Sequence, residues 1–90
     1  MRLIKKVTIK NKMGLHTRPA TSIVKSLQKS KSNVTFTYRR ETINAKSILS
    51  ILMLAATRNS KITITVEGED SQEVMDNLVT AFENQFGESL

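Results

Sequence analysis

The sequence predicts an α+β fold, an open two-layer sandwich in the order βαββαβα, and three observations carry that prediction. Lys61 to Glu67 alternates strictly between polar and apolar residues, and Val34 to Tyr38 does the same, which marks strands with one buried face. Ala20, Ile23, Val24 and Leu27 follow the i, i+3, i+4, i+7 spacing of a helix with one apolar side. Strands buried on a single face need helices over that face only, so the other face of the sheet meets water.

Each element follows in turn. Val7-Thr8-Ile9-Lys10 alternates and then meets Asn11, Lys12 and Gly14, a strand running into a loop. The first helix begins just after His16, and Pro19 suits its first turn because its missing N–H has no intrahelical partner there. Ser30 to Asn33 is a polar break. Val34 to Tyr38 then turns through Arg39-Arg40-Glu41 into a short partner strand at Thr42 to Asn44, forming a hairpin. The run Ile48, Leu49, Ile51, Leu52, Met53 and Leu54 is too uniformly apolar for periodicity to separate strand from helix, but Ser47 as an N-cap favours helix. The strand Lys61 to Glu67 ends at the turn Gly68-Glu69-Asp70. A last helix opens on Asp70 or Ser71, buries Val74, Leu78, Ala81 and Phe82 with Met75, Val79 and Phe86, and stops at Gly87.

Ninety residues with 39% hydrophobic content, no internal repeat and no low-complexity linker make a single domain, residues 1–90. A chain of this size buries only about 60 to 65% of its unfolded surface, so chemistry is expected at the surface rather than in a deep cavity. The absence of cysteine excludes disulfide staples and thiolate metal sites, and neither a metal nor a cofactor is expected. The longest apolar stretch, Ile48 to Ala56, is far shorter than the roughly 20 residues of a bilayer span. Met-Arg-Leu-Ile-Lys-Lys has neither an extended apolar region nor a small-residue cleavage site, so a cytoplasmic location without membrane insertion is the expectation. The net charge of +6 is unevenly spread. Residues 1 to 46 hold twelve Lys or Arg against Glu41 alone, while residues 47 to 90 hold two against seven acids. Such a balance suits acidic partners or phosphate.

His16 is the only histidine, and it stands in Gly14-Leu15-His16-Thr17-Arg18-Pro19-Ala20, between a strand end and a helix start. The first N–H groups of a helix are unpaired and carry partial positive charge, so a dianion attached to a side chain there meets donors already aimed at it. Arg18 adds a mobile cation. Imidazole, with an ordinary pKa of about 6.5, is a competent nucleophile near neutral pH, and phosphoryl transfer asks the protein mostly for positioning and charge neutralisation. A hydrolase would have to activate water, and the chain has no second histidine, no cysteine and no GxxxxGK[ST] loop. Carrier chemistry therefore fits better than a stand-alone catalyst. A bare surface histidine beside a helix start is the simpler alternative for any lone His.

The heptapeptide Gly14 to Ala20 resembles, residue for residue, the phosphohistidine loop of the HPr family, the histidine-containing phosphocarriers of the bacterial phosphoenolpyruvate-dependent sugar phosphotransferase system. Asn44-Ala45-Lys46-Ser47-Ile48 resembles the start of that family's second helix, and Ile62 to Asp70 its last strand and turn. The resemblance implies a four-stranded antiparallel sheet of order 1-4-2-3 with three helices on one face. It also implies a pros-phosphohistidine, with His16 phosphorylated on Nδ1 by phospho-Enzyme I and donating to an Enzyme IIA. Arg18 then balances the phosphate, and Thr17 and Arg18 contribute backbone N–H groups. Ser47 matches the position that an ATP-dependent HPr kinase phosphorylates in some bacteria, although a serine N-cap, which contributes about 1 kcal/mol, is expected there without any kinase. The family docks its partners with the second helix, so Leu49, Ile51 and Leu52 are candidates for that surface. Lys25, Lys29 and Lys46 are candidates for steering toward acidic partners. A monomer is the expected state.

Some positions depart from the family pattern. Met13 replaces a small or polar residue, Arg39-Arg40-Glu41 replaces an Asn-Gly-Lys type turn, Ala55 and Asn59 stand where glycines are frequent, and the tail Asn84 to Leu90 differs. Asn11 to Gly14 and Leu52-Met53-Leu54 are instead similar to the nitrogen-related paralogue NPr, which is the alternative branch. Two further readings compete. An RNA-binding module would stack bases on Phe36 and Tyr38, but 4% aromatic content, no RNP1 pattern and no GXXG loop argue against nucleic acid. A purely regulatory family member would bind partners without passing phosphate, yet this chain has both His16 and Arg18.

Overall fold

The computed structural model describes residues 1–88. Its elements are β1 (Arg2–Thr8), α1 (Thr17–Leu27), β2 (Asn33–Tyr38), β3 (Glu41–Asn44), α2 (Ile48–Met53), β4 (Lys61–Glu67) and α3 (Ser71–Glu83), followed by a 3-10 turn at Gln85–Gly87. The four strands form one antiparallel sheet of order β1-β4-β2-β3. The expected order and layer arrangement are both present.

Register explains which face is covered. Ile62, Ile64 and Val66 of β4 sit opposite Val7, Lys5 and Leu3 of β1, while Val66 and Ile64 sit opposite Val34 and Phe36 of β2. Directly paired residues share a face, so the apolar rows line up under the helices. Ile23 and Leu27 of α1, Ile51 of α2 and Met75, Leu78 and Phe82 of α3 close the core over them. Phe82 meets Phe36 edge-on at 5.8 Å and 72° and Phe86 at 4.9 Å and 67°, geometries that aromatic pairs favour. The other face carries Thr35 and Thr37 against Thr65 and Thr63, with Ile4 and Lys6 beyond them, and among the described residues no helix covers it.

Several boundaries differ from the sequence reading, each for a tertiary reason. The first strand runs from Arg2 rather than Val7, because β4 offers seven pairing positions from Glu67 to Lys61 and β1 fills them all. Ile9 lies past the strand, bonded through its N–H to the Ser60 carbonyl at 2.9 Å. The hairpin needs no Asn-Gly: Arg39 and Arg40 take φ of 49° and 68°, the left-handed pair that two-residue turns require. The Arg39 guanidinium lies 5.2 Å from the Tyr38 ring centroid, a favourable cation–π contact. Ala55 and Asn59, the two positions where glycine is frequent in the family, also have left-handed φ of 51° and 73°.

The last helix ends at Glu83, not at Gly87. Gln85, Phe86 and Gly87 are all left-handed, with φ of 56°, 55° and 76°, and they bend the chain out of the helix. Residues 89 and 90 of the tail that differs from the family lie outside the described residues. Asp70 precedes α3 but does not cap it with its side chain. Its carboxylate instead accepts from the Lys31 N–H at 2.9 Å and from the Ser32 hydroxyl, tying the start of α3 to the turn before β2. These two donors, the Ser32 hydroxyl first, hold the Asp70 carboxyl below its ordinary value of 3.8. Among the described residues no helix is long and apolar enough to cross a membrane.

Candidate functional site

The histidine loop is fixed at both ends before α1 begins. Gly14 has φ of 69°, and a Cβ there would collide with the Ala56 carbonyl oxygen, so backbone packs where any side chain would stand. Leu15 is buried, and its N–H donates to that same Ala56 carbonyl at 3.0 Å. The loop is thus clamped to the segment that follows α2. Asn11, buried among the core loops, donates from Nδ2 to the Gly14 carbonyl at 2.7 Å.

His16 follows as the N-cap of α1, with extended backbone at φ −84° and ψ −170°. Its carbonyl accepts the first helical bond, from Ala20 N–H at 3.1 Å. Its side chain makes no cap bond. The imidazole therefore stays outside the helix ladder, 28% exposed, at the positive end of an eleven-residue helix. Thr17 and Arg18, both exposed, open the helix, and the pyrrolidine of Pro19 is buried. Arg18 lines an open cleft with Lys12, Met13, Gly87 and Glu88, which sets two cations beside the ring's surroundings.

One contact had no sequence signal. Glu88, 72 positions away in the chain, places Oε2 2.7 Å from Nε2 of His16 and Oε1 2.9 Å from Nδ2 of Asn11. Asn11 and Glu88 are the site residues that sequence reasoning missed. No local spacing links the two ends of the chain, so only the return of the tail past α3 could bring them together.

The remaining candidates separate. Ser47 caps α2, its Oγ accepting the Ser50 N–H at 3.2 Å. Leu49 is 68% exposed and stands free for contact, whereas Leu52 is partly buried against the core. Ile51 is a correction: it is fully buried and offers no docking surface, because the side of α2 that carries it faces α1 and the sheet. Met53 and Met13, at 71% and 70% exposure, together with Ile48, extend the exposed apolar surface instead. Lys25 and Lys29 are exposed on or just beyond α1. Lys46 is half-buried, and its ammonium donates to the Ser30 carbonyl at 3.2 Å.

A family model described as the PTS HPr component phosphorylation site matches residues 3–84. The chain belongs to the HPr family. A phosphocarrier protein HPr of Chlamydia muridarum is 44% identical over 80 residues, covering 89% of this chain and 77% of the relative. An HPr of Xylella fastidiosa is 38% identical over 82 residues, covering 91% and 92%. The crystal structure of HPr-C-His from Thermoanaerobacter tengcongensis superimposes with a TM-score of 0.93 at 35% identity, covering 98% of this chain and 99% of that one. These relatives favour HPr over the NPr alternative. Membership also agrees with the sheet order, which periodicity alone had not determined.

Proposed function

We propose that this phosphocarrier of the phosphotransferase system accepts a phosphoryl group from phospho-Enzyme I on Nδ1 of His16 and delivers it to an Enzyme IIA. The observation that carries this reading is an N-cap imidazole that does no capping: His16 occupies a helix start with extended backbone and leaves its ring out of the helix ladder. A lone pair of the ring attacks phosphorus, and the donor departs with the electrons of its own bond to phosphorus. The added dianion then faces the first N–H groups of α1, from Thr17 and Arg18, while the Arg18 side chain is free to swing toward it. A neutral ring nitrogen is a good enough leaving group to make the step reversible, which suits a carrier.

Leu49 and Leu52, with Ile48 and Met53, support α2 as the docking face, and Lys25, Lys29 and Lys46 support steering of acidic partners. Ser47 is a second acceptor in this reading, taking a phosphate from an HPr kinase/phosphorylase at the start of α2. Its half-buried hydroxyl already points at the Ser50 N–H, so an added phosphate meets a helix N-terminus without requiring the fold to open.

Incubation with phosphoenolpyruvate and Enzyme I is expected to add one acid-labile phosphoryl group, and His16→Ala is expected to add none. Label that survives in His16→Ala, or a wild-type chain that stays unmodified, rejects the reading. With HPr kinase and ATP, an acid-stable phosphate that Ser47→Ala removes is expected.

A further inference from the structure

Carrier chemistry as described needs a ring, a helix start and a cation; it does not require a carboxylate on the other side of the ring. Glu88 supplies one. Its side chain is only 14% exposed, and both oxygens are engaged, Oε2 with His16 Nε2 at 2.7 Å and Oε1 with Asn11 Nδ2 at 2.9 Å. Asn11 is itself buried, and its second Nδ2 hydrogen goes to the Gly14 carbonyl at 2.7 Å. Both partners of that amide nitrogen are acceptors, so the orientation of the amide is dictated by its neighbours. A buried amide thus orients the carboxylate, and the carboxylate orients the imidazole.

The backbone that delivers Glu88 is unusual in the same place. Gln85 and Phe86 hold left-handed φ without being glycine, a conformation that side chains disfavour and that persists only where surrounding contacts enforce it. Phe86, stacked edge-on against buried Phe82, is one such contact. The Glu88 pair with Asn11 and His16 is the other.

We propose that Glu88, oriented by Asn11, is a positioning residue for phosphoryl transfer, a proposal that rests on the carrier reading. An ionised carboxylate only accepts hydrogen bonds, so the proton of the neutral ring resides on Nε2 and Nδ1 keeps its lone pair. In the forward step that lone pair forms the Nδ1–P bond, and the donor's bond to phosphorus breaks with its electrons leaving on the donor. The proton stays on Nε2, so the ring gains one positive charge, and Oε2 at 2.7 Å balances it. In the reverse step the Nδ1–P electrons return to the ring. No proton is taken up or released in either direction. Lys12 and Arg18 line the cleft beside Glu88, so the extra negative charge sits among cations rather than facing the phosphoryl group alone.

His16 is the only histidine, so the ring nitrogens give an unambiguous signal in a ¹⁵N-labelled chain. At a pH where imidazole is neutral, the wild-type ring is expected to be protonated on Nε2. Glu88→Gln leaves one acceptor oxygen, which the Asn11 Nδ2 group takes, and turns an NH₂ donor toward Nε2, so the ring proton is expected to move toward Nδ1. The rate of phosphorylation by Enzyme I is expected to fall about tenfold or more, in kcat rather than KM. Backbone amide spectra check that the fold is unchanged. The same tautomer in both chains, a wild-type proton on Nδ1, or a moved proton with an unchanged rate each overturns the proposal. If Enzyme I phosphorylates neither chain, the carrier reading fails, while the nitrogen signals still decide whether Glu88 controls the ring.

Discussion

Helices α1 and α2 begin in similar ways and use their first side chain oppositely. Each opens on an N-cap residue with extended backbone whose carbonyl accepts the first helical bond. At α2 the Ser47 hydroxyl turns inward and satisfies the Ser50 N–H. At α1 the His16 ring turns away from the helix and toward Glu88. A satisfied donor stabilises a short helix; an unsatisfied set of donors keeps a positive field available for an anion. One helix start is therefore spent on stability, and the other, in the proposed carrier role, is kept for chemistry.

The sharpest way to break this contrast is at His16. Because the ring makes no cap bond and its one partner is the Glu88 carboxylate, His16→Ala should abolish phosphoryl acceptance while lowering stability by no more than about 1.5 to 3 kcal/mol, the ordinary worth of a hydrogen bond to a charged group. Mass spectrometry after Enzyme I treatment reads the first effect and urea unfolding the second. A loss beyond that would show the ring to be structural.

Gly14→Ala attacks the loop instead of the ring. The new Cβ would meet the Ala56 carbonyl, and the left-handed backbone disfavours any side chain, so a destabilisation of about 3 kcal/mol is expected, with phosphorylation slowed as the loop leaves its clamp. Thermal unfolding and a phosphorylation time course test both parts.

Ser47→Ala should spare the phosphoryl acceptance that His16→Ala abolishes. Removal of the cap is expected to lower stability by about 1 kcal/mol and leave the rate of His16 phosphorylation within twofold of wild type. If urea unfolding shows no loss, the inward hydroxyl contributes nothing and the contrast between the two helix starts collapses.

The smallest effect concerns the third helix, whose leading Asp70 bonds across to Lys31 and Ser32 rather than into its own first turn. Its carboxyl is held below 3.8 in the folded state, so the unfolded chain takes up the proton first as pH falls. The stabilisation is fully present above that unfolded value and is lost as pH drops through the folded one. The stability gap between wild type and Asp70→Asn should accordingly be constant near neutrality and close in acid; a gap that widens in acid would reverse the sign.

Both helix starts were legible because their signals are local. Pro19 after His16, Ser47 before an apolar run and strict alternation in Lys61 to Glu67 each report on a few neighbouring residues. Ile51 was misplaced on the docking face for a different reason: in a six-residue helix of nearly all apolar residues, periodicity does not distinguish inward from outward, and only packing against α1 does. The seven-residue match around His16 pointed to the proposed acceptor but contained no trace of its carboxylate partner.

By itself, the sequence determined the layer architecture, the two helix starts and the residue expected to carry phosphate, because alternation, capping and motif chemistry act over short distances along the chain. Only the tertiary structure decided the full length of β1, which face of α2 is buried, and the Asn11–Glu88–His16 chain of contacts. Those depend on partners remote in sequence, from the seven pairing positions of β4 to a tail folded back 72 residues later, and no local pattern encodes where such partners will meet.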